Sequence, residues 1–126
     1  RGRIELWSLR RYEMHSELRK AYDAEMNAAI EDYYGNNLHE AFHHLEAAHV
    51  LGQSFTFAHV RAHWWMLRIG WKRRDSIEIR GQFGRILAAL IFSRIWVPLG
   101  NTGGANVHPL KPMPIPEELQ ALLKRR

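Results

Sequence analysis

The sequence contains no cysteine, few acidic residues and no long apolar run, and each absence narrows its chemistry. Without cysteine there are no disulfides or thiolate metal sites, so any metal must be held by histidine and carboxylate. The longest apolar run, residues 86–93, is shorter than the roughly 20 residues that span a bilayer. This argues against an integral membrane protein, and the lack of cysteine fits a cytoplasmic location.

Basic residues outnumber acidic ones, 18 to 13, which gives a formal net charge of +5. The cations are scattered along the chain and no nucleic-acid motif accompanies them, which argues against nucleic-acid binding. The glycine-rich segment 100–106 lacks the Lys-Ser/Thr ending of a phosphate loop, and no Ser-His-Asp order or nucleophile elbow is present. The sequence therefore names no reaction.

The length of 126 residues fits one compact domain. We assign residues 1–15 to a basic N-terminal extension and 16–126 to a single helical domain, in which 95–115 form an ordered, Gly/Pro-rich tail. Residue 1 is Arg rather than Met, so the native start of the chain is left open.

Apolar periodicity and turn residues predict an all-α fold. We expect four main helices in consecutive antiparallel hairpins, because the connections between them are short. Their spacing resembles a tetratricopeptide pair, and a short helix follows Pro116. The predicted spans are residues 16–34, 38–51, 55–73 and 77–93.

Six of the eight histidines lie within residues 39–63, and a helical wheel shows where they point. On the third predicted helix, His59 and His63 are one turn apart on the apolar face, opposite a basic stripe of Arg61, Arg68 and Lys72. Buried polar groups without partners are costly, so an inward histidine pair requires an explanation.

The second predicted helix turns Glu46 and His49 to the same interior. This Glu-x-x-His spacing is the one by which helical bundles take two metal ligands from one helix. We predict that Glu46, His49, His59 and His63 bind a divalent transition metal ion (Zn, Fe, Mn, Ni or Cu), with Glu25 as a candidate fifth ligand. Binding is expected to weaken below about pH 6, because the reference pKa of imidazole is about 6.5.

The remaining histidines of the cluster fall outside the apolar face, and His44 is expected to be the most exposed. The glycine-rich segment is predicted to lie near the site, with Asn101, Thr102 and Asn106 as loop residues beside it, because glycine permits close packing. Whether the site is catalytic stays open.

Three segments, "HLEAAHVLGQ", "HVRAHWWMLRIGWKRRD" and "GNTGGANV…KPMPIP", resemble a family of small bacterial proteins, the domain of unknown function 3703. The resemblance covers about residues 18–120. It implies that Glu46, His49, His59, His63 and the segment 100–103 belong to the family pattern, and it implies no substrate or mechanism.

Two alternatives to the metal-binding hypothesis stay open. One is a tetratricopeptide-like protein-interaction module in which the histidines and glutamates form a structural network. The other is a small-molecule binder closed by the glycine-rich loop. A protein partner or a homo-oligomer is compatible with each of the three.

Overall fold

The structure is a computed structural model that describes residues 14–92, 103–104 and 112–124. Its helices are α1 (Ser16–Tyr34), α2 (Leu38–Gly52), α3 (Thr56–Arg73), α4 (Ser76–Phe92) and α5 (Glu117–Lys124). No strand occurs within these ranges, so the all-α prediction is confirmed. Most of the predicted tail, 95–115, lies outside the described residues.

The helices follow one another in space as they do in the chain. Helix α1 packs on α2, α2 on α3 and α3 on α4, while α5 returns to contact α1 and α2. Short connections after Tyr34 and Arg73 contain the left-handed residues Asn36 and Arg74, with φ of 62° and 56°. The tetratricopeptide-like arrangement stays a prediction. No described helix has both the length and the apolar character needed to cross a membrane.

The core lies between the first three helices. Met26, Leu45 and Met66, one from each helix, are fully buried. Gly52 ends α2 where a Cβ atom would lie 2.8 Å from the Tyr22 ring, so glycine allows α1 and α2 to meet there. This packing fixes how α2 and α3 face one another.

The start of α1 is capped by the side chain of His15. The Nδ1 atom of His15 accepts a hydrogen bond from the Leu18 N–H at 3.2 Å. That leaves the proton on Nε2, which lies 3.1 Å from the Leu122 carbonyl oxygen in α5. Met14 is buried in the core as well, so the last two residues of the predicted extension contribute to the domain.

Candidate metal centre

The histidine cluster forms where the last turn of α2 meets the first half of α3. His49 is on α2, and His59 and His63 are one turn apart on α3. All three side chains are buried. The short turn at 53–55 reverses the chain direction, which brings the inward faces of the two helices together. The prediction that these histidines point inward is therefore confirmed.

The three Nε2 atoms form a nearly equilateral triangle. The His49–His59 distance is 2.9 Å, the His59–His63 distance is 3.0 Å and the His49–His63 distance is 3.1 Å. Each ring therefore directs the same atom to a common point. Among the described residues, this is the group of ligand atoms that could hold a metal ion.

Protons alone cannot satisfy this triangle. Each Nε2 atom presents either one N–H or one lone pair in the ring plane. With three mutually contacting atoms and two states, at least one contact must join two lone pairs or two N–H groups. A cation at the common point accepts all three lone pairs, so the geometry favours a metal ion over a hydrogen-bonded network.

Gln82 of α4 determines which nitrogen of His63 carries the proton. Its side-chain oxygen lies 2.6 Å from His63 Nδ1, and its amide nitrogen donates to Glu78 Oε1 at 2.5 Å and to the Gly103 carbonyl at 2.8 Å. Two acceptors fix the amide orientation, so Gln82 presents an oxygen to His63. The His63 Nδ1–H donates to it, and the Nε2 lone pair faces the triangle.

Gln82 is not among the predicted site residues, although the sequence contains a signal for it. Gln82 follows Ile79 by three residues and precedes Ile86 by four, so it is a polar side chain within an apolar row. It is fully buried in the structure. A glutamine is not an expected metal ligand, and its role here is to position one.

Burial also keeps His59 and His63 neutral. It lowers the pKa of His59 from 6.5 to about 4. For His63, burial and the nearby charge of His59 lower the pKa to about 3 against an opposing effect of the Gln82 hydrogen bond. Both rings are therefore deprotonated at neutral pH and have lone pairs to donate. Metal binding is therefore expected to weaken only at a pH lower than the value of about 6 that the reference pKa of imidazole suggests.

Gly103 closes the site beside His49. A Cβ atom at this position would lie 2.6 Å from His49 Cδ2 and 2.8 Å from His49 Nε2, and the backbone φ is +82°. Both the space and the conformation require glycine. Gly103 and Gly104 are buried, so this part of the glycine-rich segment lies at the histidines. Asn101, Thr102 and Asn106 lie outside the described residues, and their role stays a prediction.

A family model described as "Protein of unknown function (DUF3703)" matches residues 16–123, almost the whole chain. The chain belongs to this family. The description states no activity, so the match identifies the family and no function. No curated protein and no solved structure matches the chain.

The two glutamates predicted as ligands of this DUF3703 chain are not in the converging group. The ligand atoms that lie within 4.8 Å of one another belong to the three histidines. Glu46 is half-buried on α2. Glu25 of α1 is paired elsewhere, since its Oε2 atom lies 2.6 Å from His44 Nδ1.

His44 is therefore less exposed than predicted. Its ring is half-buried between α1 and α2. Its Nδ1 atom contacts the Glu25 carboxylate, and its Nε2 atom lies 3.7 Å from Asp32 Oδ2. The packing of α1 turns its acidic margin towards this side of α2, which a wheel of α2 alone cannot show. His39 and His43 are exposed, as predicted, and His43 is the better control residue for the metal site.

Proposed function

We propose that this protein binds one divalent transition metal ion through the Nε2 atoms of His49, His59 and His63. The observation that supports the proposal is the closed triangle of Nε2 atoms, 2.9–3.1 Å apart, which no arrangement of protons satisfies. The lowered pKa values of His59 and His63 support it too, because ligands must be deprotonated to bind.

The donor set restricts the metal. Three neutral imidazoles without a thiolate suit Zn, Fe, Ni or Cu(II), while Mn prefers carboxylate and other oxygen ligands. At metal–nitrogen distances of about 2.0–2.1 Å, the observed separations correspond to N–metal–N angles of about 90–100°. Such angles place the three nitrogens on one side of the ion and leave coordination positions on the other.

The groups that fill the remaining coordination positions of the metal decide whether the site is structural or catalytic: protein ligands close a structural site, and a catalytic site keeps one position open. Glu46 is one turn before His49 on α2, and the loop residues Asn101, Thr102 and Asn106 flank the glycines that close the site. We propose Glu46 as the candidate for a further ligand and the three loop residues as neighbours of the site; Glu25 is less suited because it is paired with His44. If water fills the position instead, the metal would lower the pKa of that water, which is the starting point of hydrolytic catalysis.

Elemental analysis of the purified full chain, expressed with supplemented metals, tests the proposal. We expect one metal ion per chain in the wild type and in the exposed-residue control His43→Ala, and at least a tenfold lower content in His63→Ala and in His59→Ala. Circular dichroism of each variant establishes that the helices are retained.

A Co(II)-loaded wild-type chain provides a readout that does not depend on the folding of any variant. Bound Co(II) with imidazole ligands gives visible absorption bands. If these bands are absent and elemental analysis also finds no metal in the wild-type protein, the proposal is refuted. Equal metal content in folded His43→Ala and His63→Ala would refute the assignment of the ligands.

A further inference from the structure

Helix α3 carries two different faces. Its inner face holds His59 and His63, whereas its outer face presents three large aromatic side chains, Phe57, Trp64 and Trp71. Their exposed fractions are 92%, 53% and 73%. They are seven residues apart, so each lies about 20° from the last and the three form a row about 21 Å long along the helix. We call them the aromatic row.

The exposure of the aromatic row does not arise because α3 has no interior position for large aromatic side chains. On the same helix, Trp65 is partly buried, with its ring in edge contact with Tyr33 at a centroid distance of 5.4 Å. Of the three indoles on α3, one is therefore partly buried and two are exposed. Contiguous exposed apolar groups mark an interaction site more often than a monomer surface.

A row of cations runs beside the aromatic row. Arg61, Arg68 and Lys72 lie about 40–80° from its middle residue, Trp64, around the helix. The Arg68 guanidinium is held over the Trp65 ring at 4.3 Å, and the Lys72 ammonium donates to the Tyr33 carbonyl at 2.9 Å. Helix α3 contains no Asp or Glu, so no acidic side chain of its own offsets these cations. The complementary surface is apolar and anionic.

We propose that the outer face of α3 binds the surface of an anionic phospholipid bilayer. Indole rings favour the headgroup region, where one edge is apolar and the N–H is hydrated, and basic side chains beside them attract anionic headgroups. Three rings in one straight row along a helix fit a planar surface, whereas non-specific single-strand binders use a groove that follows the backbone. This binding is peripheral, and it does not depend on the metal site.

The geometry has a consequence for the histidines. His59 and His63 lie about 140° and 100° around α3 from Trp64, the middle of the aromatic row, so they face away from the lipid surface. The metal site would then be held next to the membrane without entering it.

Co-sedimentation of the full chain with vesicles tests the proposal. The probes are vesicles of phosphatidylcholine alone and of phosphatidylcholine with phosphatidylglycerol. We expect binding to the anionic vesicles only, and weaker binding as salt is added. The double variant Trp64→Ser/Trp71→Ser should partition about tenfold less.

The matched control is Ile77→Ser, because Ile77 is a 67% exposed apolar residue on α4 and not on the aromatic row. It should bind anionic vesicles as the wild type does. Three outcomes would overturn the proposal: no binding of the wild type to anionic vesicles, an equal loss in the control, or preferential binding of a single-stranded oligonucleotide over vesicles. All of the substituted residues are exposed, so circular dichroism should show unchanged helix content.

Discussion

Replacing Gln82 by leucine should weaken metal binding and destabilise the fold at once. Gln82 is fully buried and makes three hydrogen bonds, with His63, Glu78 and Gly103. Leucine has a similar size and makes none. The His63 Nδ1–H and the Gly103 carbonyl each lose this hydrogen bond in the interior, at a cost of about 1–3 kcal/mol apiece. We expect the free energy of unfolding to fall by about 3–5 kcal/mol.

The metal affinity should fall by about 10–100-fold, because His63 loses the partner that fixes its tautomer and ring orientation. Chelator competition measures this affinity, and urea unfolding of the metal-free chain measures the stability. Gln82→Glu separates the two effects. Glutamate still accepts from His63 Nδ1–H, so affinity should be retained, but it has no donor for Gly103 and faces the Glu78 carboxylate, so stability should fall.

Gln120→Leu is the matched control. Gln120 is a half-buried glutamine of α5 whose side chain donates to the Ile115 carbonyl at 2.8 Å, away from the histidines. Its loss should cost about 1 kcal/mol and leave metal affinity unchanged. If Gln82→Leu binds metal as tightly as Gln120→Leu does, Gln82 does not position His63 and the reasoning is refuted.

Gly103→Ala should lower both the stability and the metal affinity, because its Cβ atom would lie 2.6 Å from the His49 ring. The control Gly84→Ala should change neither, because its Cβ atom would have no neighbour within 4 Å. Urea unfolding and chelator competition measure the two quantities. With folded pKa values of about 4 for His59 and about 3 for His63, the unfolded chain takes up protons that the folded chain does not. The metal-free protein should therefore lose about 3 kcal/mol of stability per pH unit below pH 6.5, down towards pH 4. Urea unfolding at pH 7 and pH 5 tests this, and equal stabilities would contradict it.

The sequence by itself determined the helices and, for α2 and α3, which side is buried. These properties are local, since a period of 3.6 residues and the turn residues at 35–37 and 52–54 act within one segment. They were sufficient to predict that His49, His59 and His63 point inward from neighbouring helices. They also placed Arg61 and Lys72 on the exposed side of α3, where the structure has them.

The tertiary structure decided which groups meet across the helix interfaces. Gln82 is 19 residues from His63 and 21 from Gly103, so their hydrogen bonds exist only after α4 and the glycine segment have packed on α3. The same holds for Glu25. It was predicted as a fifth metal ligand, whereas in the packed structure its carboxylate pairs with His44. A helical wheel gives the direction of a side chain around the axis of its own helix. The rotation and crossing of two packed helices, which arise from side-chain volumes along the whole contact, determine the partner found in that direction.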